Sequence, residues 1–160
     1  MTLYMETTEI PAEKTAAQIQ ALLVRAGASQ IATDYDTEGR ISGLRFVLIP
    51  KVPFKGLPFS LPVRVDPVFR HIQSKRFGKD RANAKAQQRD REKAERVAWR
   101  QALRWLQAQL AMIECGMVEP AEVFLPYLLH GSRTVYETFK AGDVKMLSGD
   151  VKMLSGGGKP

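Results

Sequence analysis

The sequence contains a single cysteine, Cys115, and only two histidines, His71 and His130, in 160 residues. One thiol excludes an intramolecular disulfide framework, and these three residues do not supply the ligand set of a structural zinc site. A Walker A sequence and a G-x-G-x-x-G motif are both missing. We therefore predict no cofactor and no metal, and we expect a reducing, cytoplasmic setting. Cys115 ends an apolar helical stripe, so it is expected to be a small buried side chain rather than a nucleophile.

Long apolar runs are also missing. No uninterrupted run approaches the roughly 18 residues of a membrane span, and the start of the chain lacks the basic and apolar regions of an export signal. The length suits one ordinary core, and we predict a single domain over residues 1–141. Residues 142–160 contain DVKMLSG twice without a gap, which predicts a flexible tail.

Residues 1–65 have the composition of a small antiparallel sheet with one helix. Leu44, Phe46 and Leu48 alternate along one strand and therefore share one face of the sheet. The turn before that strand, Asp-Thr-Glu-Gly, begins like a calcium-binding EF-hand loop. Arg45 stands where that loop needs a bidentate glutamate, so an acidic hairpin turn is the favoured interpretation. The predicted elements are a short strand over 3–8, a helix over 11–27, hairpin strands over 29–35 and 41–49, and an edge strand over 59–65.

Residues 66–141 are rich in Lys, Arg, Gln and Ala and are predicted to be helical. Thr134 and Glu137 match a capping box, and residues 130–132 are predicted to form a turn between short helices. The predicted helices are a short one from 66 that ends near Gly78, a long one over 81–116, a kinked one over 119–129 and a final one over 135–141. We therefore predict an α+β fold: a small antiparallel β-sheet packed by the N-terminal helix and the long basic helix, with short C-terminal helices.

The two halves of the long helix differ in pattern. Seven apolar side chains recur at spacings of three and four residues and predict one buried stripe: Trp99, Ala102, Leu103, Leu106, Leu110, Ile113 and Met117. Residues 81–96 contain almost no large apolar side chain. We expect the C-terminal half of the helix to pack and the N-terminal half to project or lie on the surface.

Positive charge is concentrated in residues 70–104. This segment holds twelve Lys and Arg against four acidic residues, a net charge of +8, whereas the whole chain carries +7 and the remainder is therefore net −1. A concentrated positive field is what phosphate binding needs. The alternative is a solvated or partner-facing helix with ion pairs four residues apart, such as Arg91 with Glu95 and Glu92 with Arg96.

Aromatic residues lie in or beside the same segment. Cations interleaved with aromatic faces are used by proteins that stack the bases of single strands. Core packing is the favoured role of Trp99, whereas Trp105 and Phe77 are candidates for stacking. The predicted nucleic-acid-binding residues are Lys75, Arg76, Phe77, Lys79, Arg81, Lys85, Arg89, Lys93, Arg96, Arg100, Arg104 and Trp105.

Three segments in order, IPAEKTAAQIQALLVRAGASQI, PFSLPVRV and RVAWRQALRWLQAQLAMIECGMVEPAEVFLPYLLHGSRTVYETF, resemble a set of small uncharacterised proteins of tailed bacteriophages. The resemblance covers residues 8–140, and its most telling part is the Glu-Val-Phe-Leu segment followed by the Gly-Ser-Arg-Thr-Val turn. It implies a viral protein that acts inside the host cell and is encoded near replication or recombination functions. It implies no activity and no catalytic residue.

The function predicted from these observations is non-enzymatic nucleic-acid binding, with single-stranded DNA preferred, in phage replication or recombination. The first alternative is an adaptor or inhibitor whose basic helix docks on an acidic host protein. A metal-dependent nuclease is a distant third, because the carboxylates of the hairpin turn lack a positioned lysine motif. No membrane partner is expected.

Overall fold

The computed structural model describes residues 2–49, 56–76 and 83–142. The elements in chain order are α1 (Ala12–Arg25), β1 (Ala28–Tyr35), β2 (Ile41–Leu48), β3 (Leu57–Ser60), α2 (Val65–Ser74), α3 (Ala84–Glu114), α4 (Pro120–Phe124), a 3-10 turn (Leu125–Tyr127), β4 (Leu129–His130), β5 (Arg133–Thr134) and α5 (Val135–Lys140). Mixed helices and a small antiparallel sheet confirm the predicted α+β class. The predicted site residues Phe77, Lys79 and Arg81, and the tail from residue 143 onward, lie outside the described residues.

The three-stranded sheet has the antiparallel order β1, β2, β3. Its first hairpin is the predicted one, and Asp36 organises the turn by accepting backbone N–H bonds from Glu38 and Arg40 at 2.9 Å each. Gly39 has a φ of +75°, which a residue with a side chain adopts rarely. The acidic segment is thus a hairpin turn rather than a helix-flanked calcium loop.

Two strand predictions need correction. The edge strand begins earlier than predicted, at Leu57, and is shorter. Leu61 still donates its backbone N–H to the Leu44 oxygen at 2.8 Å, and the pairing does not continue past Pro62, which has no N–H to donate. Residues 3–8 do not form a strand. Successive turns occupy them, closed by backbone bonds from Glu6 to Leu3 at 3.0 Å and from Thr8 to Met5 at 3.1 Å.

The core lies between one face of the sheet, α1 and the C-terminal half of α3. Leu44 and Phe46 on β2 point into it as predicted. The rings of Phe46, Phe59 and Phe124 contact one another with centroids 5.6 Å apart, so the short helix α4 closes the end of the core. The core residues of the long helix are Trp99, Ala102, Leu103 and Leu106, with Leu110 and Ile113 packed at its edge.

The N-terminal half of α3 lies on the surface, one of the two predicted alternatives, and does not project, because its inner side is covered. Its small residues Ala86 and Ala94 are buried, and so is the carboxylate of Asp90, because α2 packs against this half. Gln73 and Arg76, at and just beyond the end of α2, both donate hydrogen bonds to Asp90. Alanine lets two helices approach closely, so a contact can form without large apolar side chains.

The C-terminal end of the chain departs from the prediction in three places. Helix α3 ends at Glu114, and Gly116 with a φ of +72° turns the chain away, so Cys115 and Met117 are exposed rather than buried. The predicted kinked helix is split after Phe124 into α4 and the 3-10 turn, which contains Pro126, and Leu129 lies in β4. Residues 130–132 turn between β4 and β5 rather than between helices. The capping box of Thr134 and Glu137 is present, and it starts α5 as predicted.

Candidate nucleic-acid interface

Six of the predicted site residues form one stripe along α3. They recur at spacings of 4, 4, 3, 4 and 4 residues, which places them within a sector of about 100° on a helix that turns about 100° per residue. The stripe is about 28 Å long at 1.5 Å per residue. We call it the basic stripe, and it consists of Lys85, Arg89, Lys93, Arg96, Arg100 and Arg104.

Several predicted cations are already paired with acids. Arg76 donates to the buried carboxylate of Asp90 at 2.5 and 2.6 Å. Glu6 lies 3.4 Å from Lys75 and 3.3 Å from Lys93, so one carboxylate serves two ammonium groups. These residues therefore contribute less free positive charge than the sequence suggests.

The ionisation of Glu6 is favoured by its surroundings. The backbone N–H of Leu3 donates to Glu6 Oε2 at 3.1 Å, and this bond, followed by that from Lys93, lowers the pKa of the Glu6 carboxyl below its ordinary value. Glu6 is therefore charged at neutral pH and offsets part of the positive charge of Lys75 and Lys93. Sequence reasoning assigned Glu6 to a strand and did not anticipate this pairing.

Five cations of the basic stripe have no acid partner among the described residues. Lys85 and Arg89 are exposed to solvent. Arg96 donates to the backbone oxygen of Thr8 at 3.4 Å, and two further arginines bind neutral side chains. Neutral acceptors orient a guanidinium without removing its charge.

A groove between α1 and α3 collects the unpaired charge at the C-terminal end of the stripe. It has a volume of about 240 Å³, and Arg25 of α1 lines it together with Arg100. Arg100 Nη1 donates to Gln18 Oε1 at 2.7 Å, and Arg104 Nη1, on the next turn, donates to Gln107 Oε1 at 3.1 Å. No carboxylate is among the described residues that line this groove. We call it the basic groove.

One atom in this region lacks a partner. Arg100 Nε is buried, and within the described part of the chain it donates no hydrogen bond. A buried guanidinium donor without an acceptor costs free energy.

Sequence reasoning missed the contribution of α1. Gln18 and Arg25 are seven residues apart on a helix, which places both on one exposed face beside the basic stripe. The spacing of Gln18 and Arg25 could be read from the sequence. It pointed to the basic stripe only once the packing of α1 against α3 was known.

Trp105 lies on another side of α3, about 100° outside the sector of the basic stripe. Its indole contacts the rings of Tyr127 and Phe124 edge to face, with centroids 5.4 and 6.0 Å away. It lines a cleft of about 480 Å³ with Tyr127 and Tyr136. The structure therefore separates Trp105 from the cations that the sequence grouped with it.

Among the described residues, no group of three or more His, Cys, Asp or Glu side chains is placed to hold a metal ion. No helix within residues 2–49, 56–76 and 83–142 is both long and apolar enough to cross a membrane. Comparison with protein-family models, curated proteins and solved structures gives no match.

Proposed function

We propose that this protein binds nucleic acid without a catalytic step and that its basic stripe and basic groove contact the phosphate backbone. The proposal rests on five cations along one side of α3 that have no acid partner within residues 2–49, 56–76 and 83–142, and on the adjoining groove, whose described lining holds no carboxylate. The bacteriophage setting, in replication or recombination, is part of the proposal and rests on the sequence resemblance alone.

Phosphate contact is the chemistry that fits these groups. Guanidinium groups bind phosphate oxygens through two parallel N–H bonds, and several such contacts along one line follow a backbone rather than a single ion. Gln18 and Gln107 hold Arg100 and Arg104 in place through neutral oxygens. These arginines therefore keep their charge for a ligand, and a fixed side chain loses less entropy on binding.

A charge-matched pair of variants tests the proposal. The groove variant carries Arg100→Gln in the basic groove and Arg104→Gln on the next turn of α3, outside the groove lining. The control carries Arg45→Gln and Lys140→Gln. These remove the same formal charge from the outer face of the sheet, where Arg45 pairs with Asp34, and from α5. We expect the groove variant to bind a labelled oligonucleotide on the order of tenfold to a hundredfold more weakly, because two charge-assisted bonds are lost.

The control should bind within about twofold of the wild type, because remote charges are screened at physiological salt. Circular dichroism should show the same helix content in all three proteins. Equal weakening in the two variants would mean that affinity follows net charge alone, and the proposed interface would be wrong.

An acidic protein surface is the second candidate ligand. It is favoured by apolar side chains exposed on the 3-10 turn and on α5, namely Leu125, Tyr136 and Phe139, since exposed apolar groups are typical of protein contacts. Competition separates the two candidates. Polyglutamate should displace a bound oligonucleotide only weakly if the basic groove recognises phosphates. Displacement at equal charge concentration would favour the adaptor function.

A further inference from the structure

The cleft that contains Trp105 is open to solvent and has mostly apolar walls. Its volume of about 480 Å³ falls in the range of ligand pockets, and three aromatic rings and three prolines give it mostly apolar walls. The Trp105 ring is fixed by edge-to-face contacts with Tyr127 and Phe124, which leaves a rigid platform. Ordered walls reduce the entropy lost when a ligand enters.

Two polar groups line the same cleft. The guanidinium of Arg64 lies over the ring of Tyr136, with its Cζ 5.7 Å from the ring centroid. Gln101 donates its amide N–H to the backbone oxygen of Tyr4 at 2.8 Å, and its own side-chain oxygen accepts no hydrogen bond within the described part of the chain. The cleft thus offers stacking surfaces, one cation and one free acceptor.

We infer that this cleft binds an unpaired nucleobase of a bound strand, with the base stacked on the aromatic walls and the adjoining phosphate held by Arg64. The inference rests on the proposed nucleic-acid function and adds a strand preference to it. A base in a duplex is stacked on both faces and paired along one edge. Only a base of a single strand or an extruded base can therefore enter the cleft. The Gln101 oxygen is an acceptor for the N–H groups on a base edge.

The charge of the cleft favours a nucleotide over a proline-rich peptide. Aromatic grooves also bind extended proline-rich segments, which carry no negative charge of their own. Here the only charged side chain in the described lining is a cation, Arg64, and no carboxylate lies beside it in that lining. A nucleotide has a planar base, which matches the stacking surfaces, and a phosphate, which matches the positive charge of Arg64.

The experiment measures Trp105 fluorescence and strand preference together. An oligothymidylate of about 12 residues, long enough for a single-strand site, is titrated into the wild-type protein and the variants. Trp99 is fully buried and gives a constant background, so quenching should disappear in Trp105→Phe, which retains an aromatic ring beside Phe124. A matched duplex serves as the second probe.

Tyr136→Ala tests the aromatic wall, including the ring over which Arg64 lies, and Tyr35→Ala is the matched control on an exposed tyrosine outside the described cleft lining. We expect Tyr136→Ala to weaken single-strand binding by about five- to 150-fold, the range for the loss of one stacked base. Duplex affinity should not change, and Tyr35→Ala should leave both affinities unchanged. Arg64→Ala should weaken single-strand binding in the same direction, because the phosphate loses its cation.

The groove variant and Tyr136→Ala together distinguish a wrong base site from a wrong phosphate interface. If the groove variant loses binding while Tyr136→Ala leaves the ratio of single-strand to duplex affinity unchanged, the base site is wrong and the phosphate interface stands. If the wild type binds neither probe at low salt, both are wrong. If a proline-rich peptide quenches Trp105 and the oligonucleotide does not, the cleft is a peptide site and the inference is overturned.

Discussion

Asp90 and Arg76 form an ion pair inside the contact between α2 and α3, with Arg76 Nε 2.5 Å from Asp90 Oδ2. The carboxylate is 3 % exposed and also accepts a hydrogen bond from Gln73 at 2.6 Å. This pair fastens α2 to the half of α3 that lacks large apolar side chains. It therefore supports the N-terminal half of the basic stripe.

Removal of the carboxylate should destabilise this contact. Asp90→Ala removes the acceptor of the buried Gln73 amide and one ion-pair partner of Arg76, and we expect a loss of about 1–3 kcal/mol of unfolding free energy. The figure stays below that of a fully buried pair because Arg76 can turn partly to solvent. Asp66→Ala is the matched control, since Asp66 pairs with Arg91 at the surface. Denaturant titration should show little change for the control, and equal losses would refute this role of Asp90.

The anchoring of α3 in the core gives a second prediction. Leu106 is fully buried, so Leu106→Ala should cost about 2–5 kcal/mol through lost burial and a residual cavity. Lys85 is exposed on the same helix, and Lys85→Ala should change stability by no more than about 0.5 kcal/mol. Thermal unfolding measures both. A similar shift in the melting temperature for the two variants would contradict the buried face assigned to the helix.

Two glutamates should respond to pH in opposite directions. Hydrogen bonds from Leu3 and Lys93 lower the pKa of Glu6 below its ordinary value of 4.5, so the stabilisation by ionised Glu6 is present above that pH and is lost as the pH falls through the folded pKa. Burial raises the pKa of Glu95, against the opposing effect of Arg40 and Arg91. The protonated form of Glu95 is thus favoured on folding, and that stabilisation is lost as the pH rises from 4.5 through the folded pKa.

Glutamine variants make this contrast measurable. From about pH 3 to pH 7, Glu6→Gln should lose stability relative to the wild type, whereas Glu95→Gln should gain relative stability, since glutamine mimics the protonated acid. The melting temperatures of the three proteins across this range give the comparison. Slopes of the same sign for the two variants would contradict the environments assigned to these carboxyl groups.

Local patterns predicted most of the fold. The hairpin around Asp36, helix α1 and the capping box at Thr134 each depend on neighbouring residues, and the structure confirms all three. The packing of α2 on α3 was missed because it depends on alanines and on a polar pair distant in sequence. The exposure of Cys115 was missed because one helical turn decides whether a stripe continues or ends.

The candidate site was predicted only in part. The density of positive charge located the cations of α3. Their helical spacing then predicted which of them share a face. Their partners were beyond reach because Glu6 lies about 70 to 90 residues away from Lys75 and Lys93 along the chain. The same limit hid the contribution of Arg25 to the basic groove and the separation of Trp105 from the stripe.

Contact between phosphates and the five cations that have no acid partner in the described part of the chain is tested most directly by the salt dependence of binding. For a single-stranded oligonucleotide, log K against log salt should fall with a slope near −3.5, from about −0.7 for each of five contacts, and near −2.1 for the variant that lacks Arg100 and Arg104. Fluorescence anisotropy at several salt concentrations gives both slopes. Binding that does not depend on salt, or the same slope in both proteins, would contradict the account.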